Sequence, residues 1–161
     1  PLLDDLYAIL LRTLSDPSDD IMHLDLEVIE QLSHNERFFA KQMESLVRLF
    51  KTDSRFLHEP GSKIIKLLCG FTDCERIFTS LAEILVQEKN TTFVAETVQK
   101  LNILVLSMDE AKLLRVALRS RTSVPLFETL YRAWSFSPSS LFSLCLLCQM
   151  YTHASELVQK L

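Results

Sequence analysis

Residues 140–157 read SLFSLCLLCQMYTHASEL, with Cys145 and Cys148 in a C-x-x-C spacing and His153 shortly after. The stretch is either the core of a redox or metal site or the inside of a helix. A redox C-x-x-C needs its first cysteine at a helix N-terminus behind a strand, where the positive end of the dipole lowers the thiol pKa. Cys145 instead lies about two turns beyond Pro138, within an apolar helix pattern, and nothing strand-like precedes it. A zinc site needs four converging ligands, usually two close pairs. The other two cysteines, Cys69 and Cys74, straddle a predicted helix break at Gly70. Cysteine is among the most often buried residue types and packs as a small hydrophobe. The stretch therefore reads as helix interior.

The rest of the chain repeats that pattern. Of 161 residues, 48% are hydrophobic, with only two glycines and five prolines. So few turn residues argue against a β-sandwich and a glycine-looped nucleotide-binding fold. PLLDDLYAILLRTL places Leu3, Leu6, Leu10 and Leu14 on one helical face. IMHLDLEVIEQL does the same with Ile21, Leu24, Val28 and Leu32, and ERFFAKQMESLVRLFK with Phe39, Met43, Leu46, Val47 and Phe50. RFLHEPGSKIIKLLCG is expected to break at Pro60-Gly61 and to end at Gly70 as its C-cap. Thr72–Glu75 and Ser107–Glu110 have the spacing of capping boxes. Pro125 and Pro138 sit at helix starts, where they are tolerated.

About ten helical segments result. Alternate ones start near residues 2, 37, 73, 108 and 138, a period of about 35 that falls in the range of paired-helix repeats. The TPR positions are missing. The expected fold is all-α: HEAT-like antiparallel helix pairs stacked as a short solenoid, with residues 1–161 as one helical-repeat segment. A compact non-repetitive bundle is the alternative.

Net charge is −4, which argues against a nucleic-acid partner. The charge is uneven: residues 1–36 carry nine acids against Arg12 alone, while residues 100–161 carry seven Lys and Arg against four acids. No apolar run is long enough to span a bilayer. With Pro1 in place of an initiator Met and no signal peptide, the chain reads as a piece of something longer, from a reducing compartment.

The residues point to no catalytic site. His23, His34, His58 and His153 are dispersed, and acid pairs such as Asp4-Asp5 and Asp19-Asp20 lie in first turns, where they complement the helix dipole. No phosphate loop or nucleophile elbow occurs, and no cofactor is expected. Two surfaces carry functional weight. Lys112, Arg115 and Arg119, followed by Arg121, form a basic stripe suited to an acidic partner or a lipid phosphate, against the alternative of a solvated face. Tyr131, Trp134, Phe136, Phe142 and Tyr151 cluster around the SFSPSS turn, and Tyr131, Trp134, Phe136 and Tyr151 are the candidate interface anchors.

LSDPSDDIMHLDLEVIEQLS, FVAETVQKLNILVLS and LFETLYRAWSFSPSSLFSLCLLCQMYTHASELVQ resemble the C-terminal region of the ArPIKfyve vacuole-morphology scaffold family. The likeness runs across essentially the whole chain. It implies a non-enzymatic scaffold that self-associates and binds a Sac-domain phosphoinositide phosphatase. It further implies assembly of a PIKfyve-type lipid kinase that makes phosphatidylinositol 3,5-bisphosphate on the cytoplasmic face of endosomal, lysosomal or vacuolar membranes, with membrane association indirect. A phosphoinositide- or membrane-binding helical domain using the basic stripe is the competing reading.

Overall fold

The computed structural model describes residues 2–13, 19–120 and 123–160. Among them are ten α-helices, one short 3₁₀ turn and no strand, so the all-α expectation holds. The chain divides into two compact units, Pro1–Leu81 and Ala82–Leu161.

The first unit holds α1 (Leu2–Thr13), α2 (Asp19–Ser33), α3 (Glu36–Thr52), α4 (Ser54–Phe71) and most of α5 (Cys74–Val86). α3 is the hub, with α1, α2 and α4 packed against it. Its apolar period is obeyed: Phe39, Met43, Leu46, Val47 and Phe50 are all buried. The expected faces of α1 and α2 are not. Tyr7 and Leu11 are the core residues of α1, whereas Leu6 is 45% exposed. On α2, Ile29 is buried while Leu24 is 65% and Val28 40% exposed. Leu14 lies outside the described residues, as do the side chains of Leu3 on α1 and Ile21 on α2. Both helices mix two apolar stripes, and tertiary packing chose the one that the simple leucine count disfavours.

α4 runs unbroken through Pro60-Gly61, against expectation. Pro60 has no N–H to give to the Phe56 carbonyl, which would normally kink the helix. Gly61 absorbs the consequence. A Cβ there would lie 2.6 Å from both Phe56 O and Phe50 Cε1, so only glycine lets the backbone and the Phe50 ring approach so closely. Gly70 is likewise inside the helix, and the C-cap is Thr72, whose N–H reaches Leu68 O at 2.8 Å.

The caps mark where these helices start and stop. Asn35 opens α3 by accepting from the Arg37 N–H at 3.0 Å. Asp53, the single residue between α3 and α4, serves both: its N–H closes α3 on Leu49 O at 2.9 Å, and its carboxylate accepts from the Arg55 and Phe56 N–H groups. The Phe50 and Phe56 rings meet across this junction with centroids 6.2 Å apart. The cap before α5 is Asp73, accepting from Glu75 N–H at 3.1 Å, rather than Thr72. Arg76 ties α5 down, donating to Ser33 O at 3.0 Å, pairing with Glu36 at 3.0 Å and lying 3.8 Å over the Phe39 ring.

The second unit continues with α6 (Thr91–Ser107), a 3₁₀ turn (Asp109–Ala111), α7 (Lys112–Ser120), α8 (Val124–Trp134), α9 (Pro138–Leu147) and α10 (Tyr151–Lys160). α6 packs against α7, α8 and α9, and α9 in turn receives α7, α8 and α10. Asn90 caps α6 by accepting from Phe93 N–H. The expected Ser107–Glu110 box does not form; Ser107 ends α6 and its hydroxyl donates to Ile103 O at 2.8 Å. Pro125 and Pro138 do begin α8 and α9.

α9 ends in a Schellman turn. Met150 N–H bonds Cys145 O at 2.9 Å, Gln149 N–H bonds Leu146 O at 3.0 Å, and Gln149 takes φ 58°. The turn aims α10 back onto α9. All four cysteines are buried, Cys145 completely, and none is in a disulfide. Leu146 is nevertheless 40% exposed, so α9 is not buried on every side as its composition suggests.

Candidate docking surface

The Schellman turn brings Met150 and His153 opposite α8. There, Phe127, Glu128, Tyr131, Arg132, Met150 and His153 line an open groove of about 380 Å³. A smaller cleft of about 140 Å³, lined by Leu118, Ser123, Val124, Phe127, Cys148 and Met150, adjoins it through the shared Phe127 and Met150. The spacing i, i+4 puts Phe127 and Tyr131 on one face of α8, rings 5.6 Å apart. Tyr131 then lies tilted against the His153 ring, centroids 5.7 Å apart, and its hydroxyl is 2.8 Å from His153 Nε2. His153 Nδ1 is in turn 3.7 Å from Glu156 Oε2.

Burial pushes the Tyr131 phenol above its ordinary range, with the nearby Cys145 adding to the effect. Burial likewise raises the Cys145 thiol. A thiol held protonated in an apolar setting is a poor nucleophile and a poor metal ligand. Among the described residues no three His, Cys, Asp or Glu side chains converge as a metal site would require. What the geometry offers is an apolar floor with a charged and hydrogen-bonding rim, the make-up of a recognition site for another macromolecule.

The four aromatic candidates separate. Tyr131 lines the groove half-buried, and Tyr151 is 62% exposed at the start of α10. Phe136 is half-buried in the turn after α8. Trp134 is buried, and its indole N–H donates to Asn102 Oδ1 at 3.1 Å. As an anchor for a partner Trp134 is therefore corrected: it joins α8 to α6. Phe127 and Met150 were missed, although Phe127 stands one helical turn before Tyr131.

The basic stripe also divides. Lys112 and Arg119 are exposed. Arg115 turns inward and donates through Nη1 to Val105 O and Met108 O, both at 2.8 Å, so it caps the end of α6 and is no part of an open stripe. Arg121 lies outside the described residues.

The fold is an all-α helical module carrying an open groove along α8 and α10. The family model described as "Vacuolar protein 14 C-terminal Fig4p binding" matches residues 54–161, and the chain belongs to that family. The chain is 37% identical to the Protein VAC14 homolog of Arabidopsis thaliana over 163 residues, covering 99% of this chain and 22% of that protein. It is 37% identical to the Protein VAC14 homolog of Schizosaccharomyces pombe, covering 96% of this chain and 20% of that protein. Vacuole morphology and inheritance protein 14 of Saccharomyces cerevisiae is 25% identical over 97% of this chain and 18% of its own length. The chain thus spans about a fifth of these relatives. No solved structure matches it.

Proposed function

We propose that this chain is a non-enzymatic scaffold segment that binds a Sac-domain phosphoinositide phosphatase of the Fig4p type through the α8–α10 groove. The family match over residues 54–161 carries the reading, because it contains every groove residue. In this reading the segment also self-associates and helps to assemble a PIKfyve-type lipid kinase complex controlling phosphatidylinositol 3,5-bisphosphate. Its place is then the cytoplasmic face of endosomal, lysosomal or vacuolar membranes. No helix among the described residues is long and apolar enough to cross a bilayer, so attachment through bound proteins fits. Tyr131 and Tyr151 are the proposed contacts, since large aromatic anchors tend to dominate interface energy.

Co-purification of the chain with the phosphatase, followed by native mass measurement of the complex, tests this. The expected result is a stable complex of defined stoichiometry that Tyr131→Asp and Tyr151→Asp weaken at least about tenfold, a loss typical of interface anchors. Failure of the unaltered chain to capture the phosphatase overturns the partner assignment. Capture that survives both substitutions overturns the placement in the groove.

A further inference from the structure

α7 is the helix whose outward face is hardest to reconcile with water. Its inward face is well defined: Leu114 and Leu118 are buried, and Arg115 anchors the helix to the end of α6 through two carbonyls. The opposite arc carries Lys112, Leu113, Val116 and Arg119. Leu113 is 79% exposed, the most exposed large hydrophobic side chain among the described residues, and Val116 is 54% exposed. Ile103 at 55% and Leu106 at 46% add apolar surface on α6, against which α7 packs. No acid lies within α7; Asp109 and Glu110 stand in the 3₁₀ turn before it.

From this juxtaposition of projecting aliphatic side chains and two exposed cations on one arc, we propose that α7 is a contact surface for an anionic phospholipid bilayer. An interfacial helix buries its apolar side chains at the boundary between headgroups and acyl chains while Lys and Arg meet lipid phosphates. Side chains projecting from a helix enter such an interface without a preformed cavity. A bilayer carrying negative charge also matches Lys112 and Arg119, and the surrounding residues 100–161 are net basic. Each cation near such a surface contributes about fivefold in partitioning. The contact is therefore modest alone and suited to orienting a chain that other interactions bring to the membrane. The surface is separate from the α8–α10 groove lining, so the inference stands independently of the phosphatase reading.

The test uses the whole chain with vesicles of phosphatidylcholine, with or without phosphatidylserine. Flotation should show retention that requires phosphatidylserine, falls with added salt, and drops at least about tenfold in Lys112→Glu/Arg119→Glu, given the cost of two reversed charges. In a second variant, Leu113→Cys, the introduced thiol is exposed while the four native ones are buried. It can therefore take a polarity-sensitive nitrobenzoxadiazole label, which should shift to the blue and brighten on phosphatidylserine vesicles only. Absence of retention that depends on phosphatidylserine, or a label that stays in a water-like environment, overturns the proposal. So does charge reversal without effect. Loss of phosphatase capture in Leu113→Ser/Val116→Ser, with no vesicle binding by the parent chain, also overturns it and makes α7 a protein contact.

Discussion

Arg115 Nη1 lies 2.8 Å from the carbonyl oxygen of Val105, ten residues earlier in the chain. The same nitrogen reaches Met108 O at 2.8 Å, so one guanidinium bonds both the Val105 carbonyl in the last turn of α6 and the carbonyl of the C-cap residue, which also accepts from Ala111 N–H at 3.3 Å. Arg115→Ala removes a charged donor from both and is expected to destabilise the chain by about 1–3 kcal/mol. Lys112→Ala and Arg119→Ala, at exposed positions on the same helix, should each stay within about 0.5 kcal/mol of the parent. Urea unfolding of the three variants gives the comparison, and equal effects at all three positions would count against the cap.

The two glycines should respond with opposite sign to the same substitution. Gly61→Ala forces a methyl to within 2.6 Å of Phe50 Cε1 and Phe56 O and is expected to cost about 1–3 kcal/mol through overpacking. Gly70→Ala meets nothing within 4 Å and lies inside α4. It should gain about 0.5–1 kcal/mol, the usual advantage of alanine in a helix. Thermal melts of both variants decide the matter.

Gln149 occupies the left-handed region at φ 58° in the Schellman turn, a conformation that costs an L side chain about 1 kcal/mol. Gln149→Gly should therefore raise stability by a few tenths to about 1 kcal/mol. Gln149→Val, β-branched at positive φ, should lower it and loosen α10 first. Hydrogen exchange of the α10 amides reports that order.

Alkaline conditions should weaken the fold. Burial raises the pKa of Tyr7, Tyr131 and Cys145 above their ordinary values of 10.0, 10.0 and 9.0. Each is neutral below those values, and a raised folded-state pKa means that the folded chain resists losing the proton. The stabilisation is therefore fully present below about pH 9 and is lost as pH rises through the folded-state values. The urea midpoint should be flat near neutrality and fall above about pH 9. Tyr131→Phe should make that fall shallower.

Two tryptophan and tyrosine positions, treated alike by sequence, should differ sharply in stability. Trp134→Ala empties a buried site and frees Asn102 Oδ1, for which about 3–5 kcal/mol is expected. Tyr151→Ala changes an exposed residue and should stay near zero. Circular dichroism melts suffice to separate them.

The class of fold was legible because apolar spacing and a shortage of glycine speak directly about helices. α3 shows this at its clearest, with every expected core residue buried. α1 and α2 were misread because each carries more than one leucine-rich stripe, and only the neighbours decide which faces inward. The caps failed by a single residue: Thr72 and Asp73 are both good capping residues, and the choice between them depends on where α4 stops. In the candidate site, Tyr131 was found from its aromatic cluster, but the pairing with His153 depends on the turn at Gln149, a left-handed residue that sequence gives no reason to expect outside glycine or asparagine. Arg115 looked like its neighbours in the stripe because the carbonyls that draw it inward belong to a different helix.

Asp53 is the whole connection between α3 and α4, ending one with its N–H and beginning the other with its carboxylate. A residue shared in this way leaves no slack in the chain. Unwinding the last turn of α3 turns Asp53 and takes the acceptor away from α4, while melting the first turn of α4 frees Asp53 to release Leu49. Two helices that a longer loop would let fray separately are thereby joined into one cooperative element, with the Phe50–Phe56 ring contact across the joint as its latch.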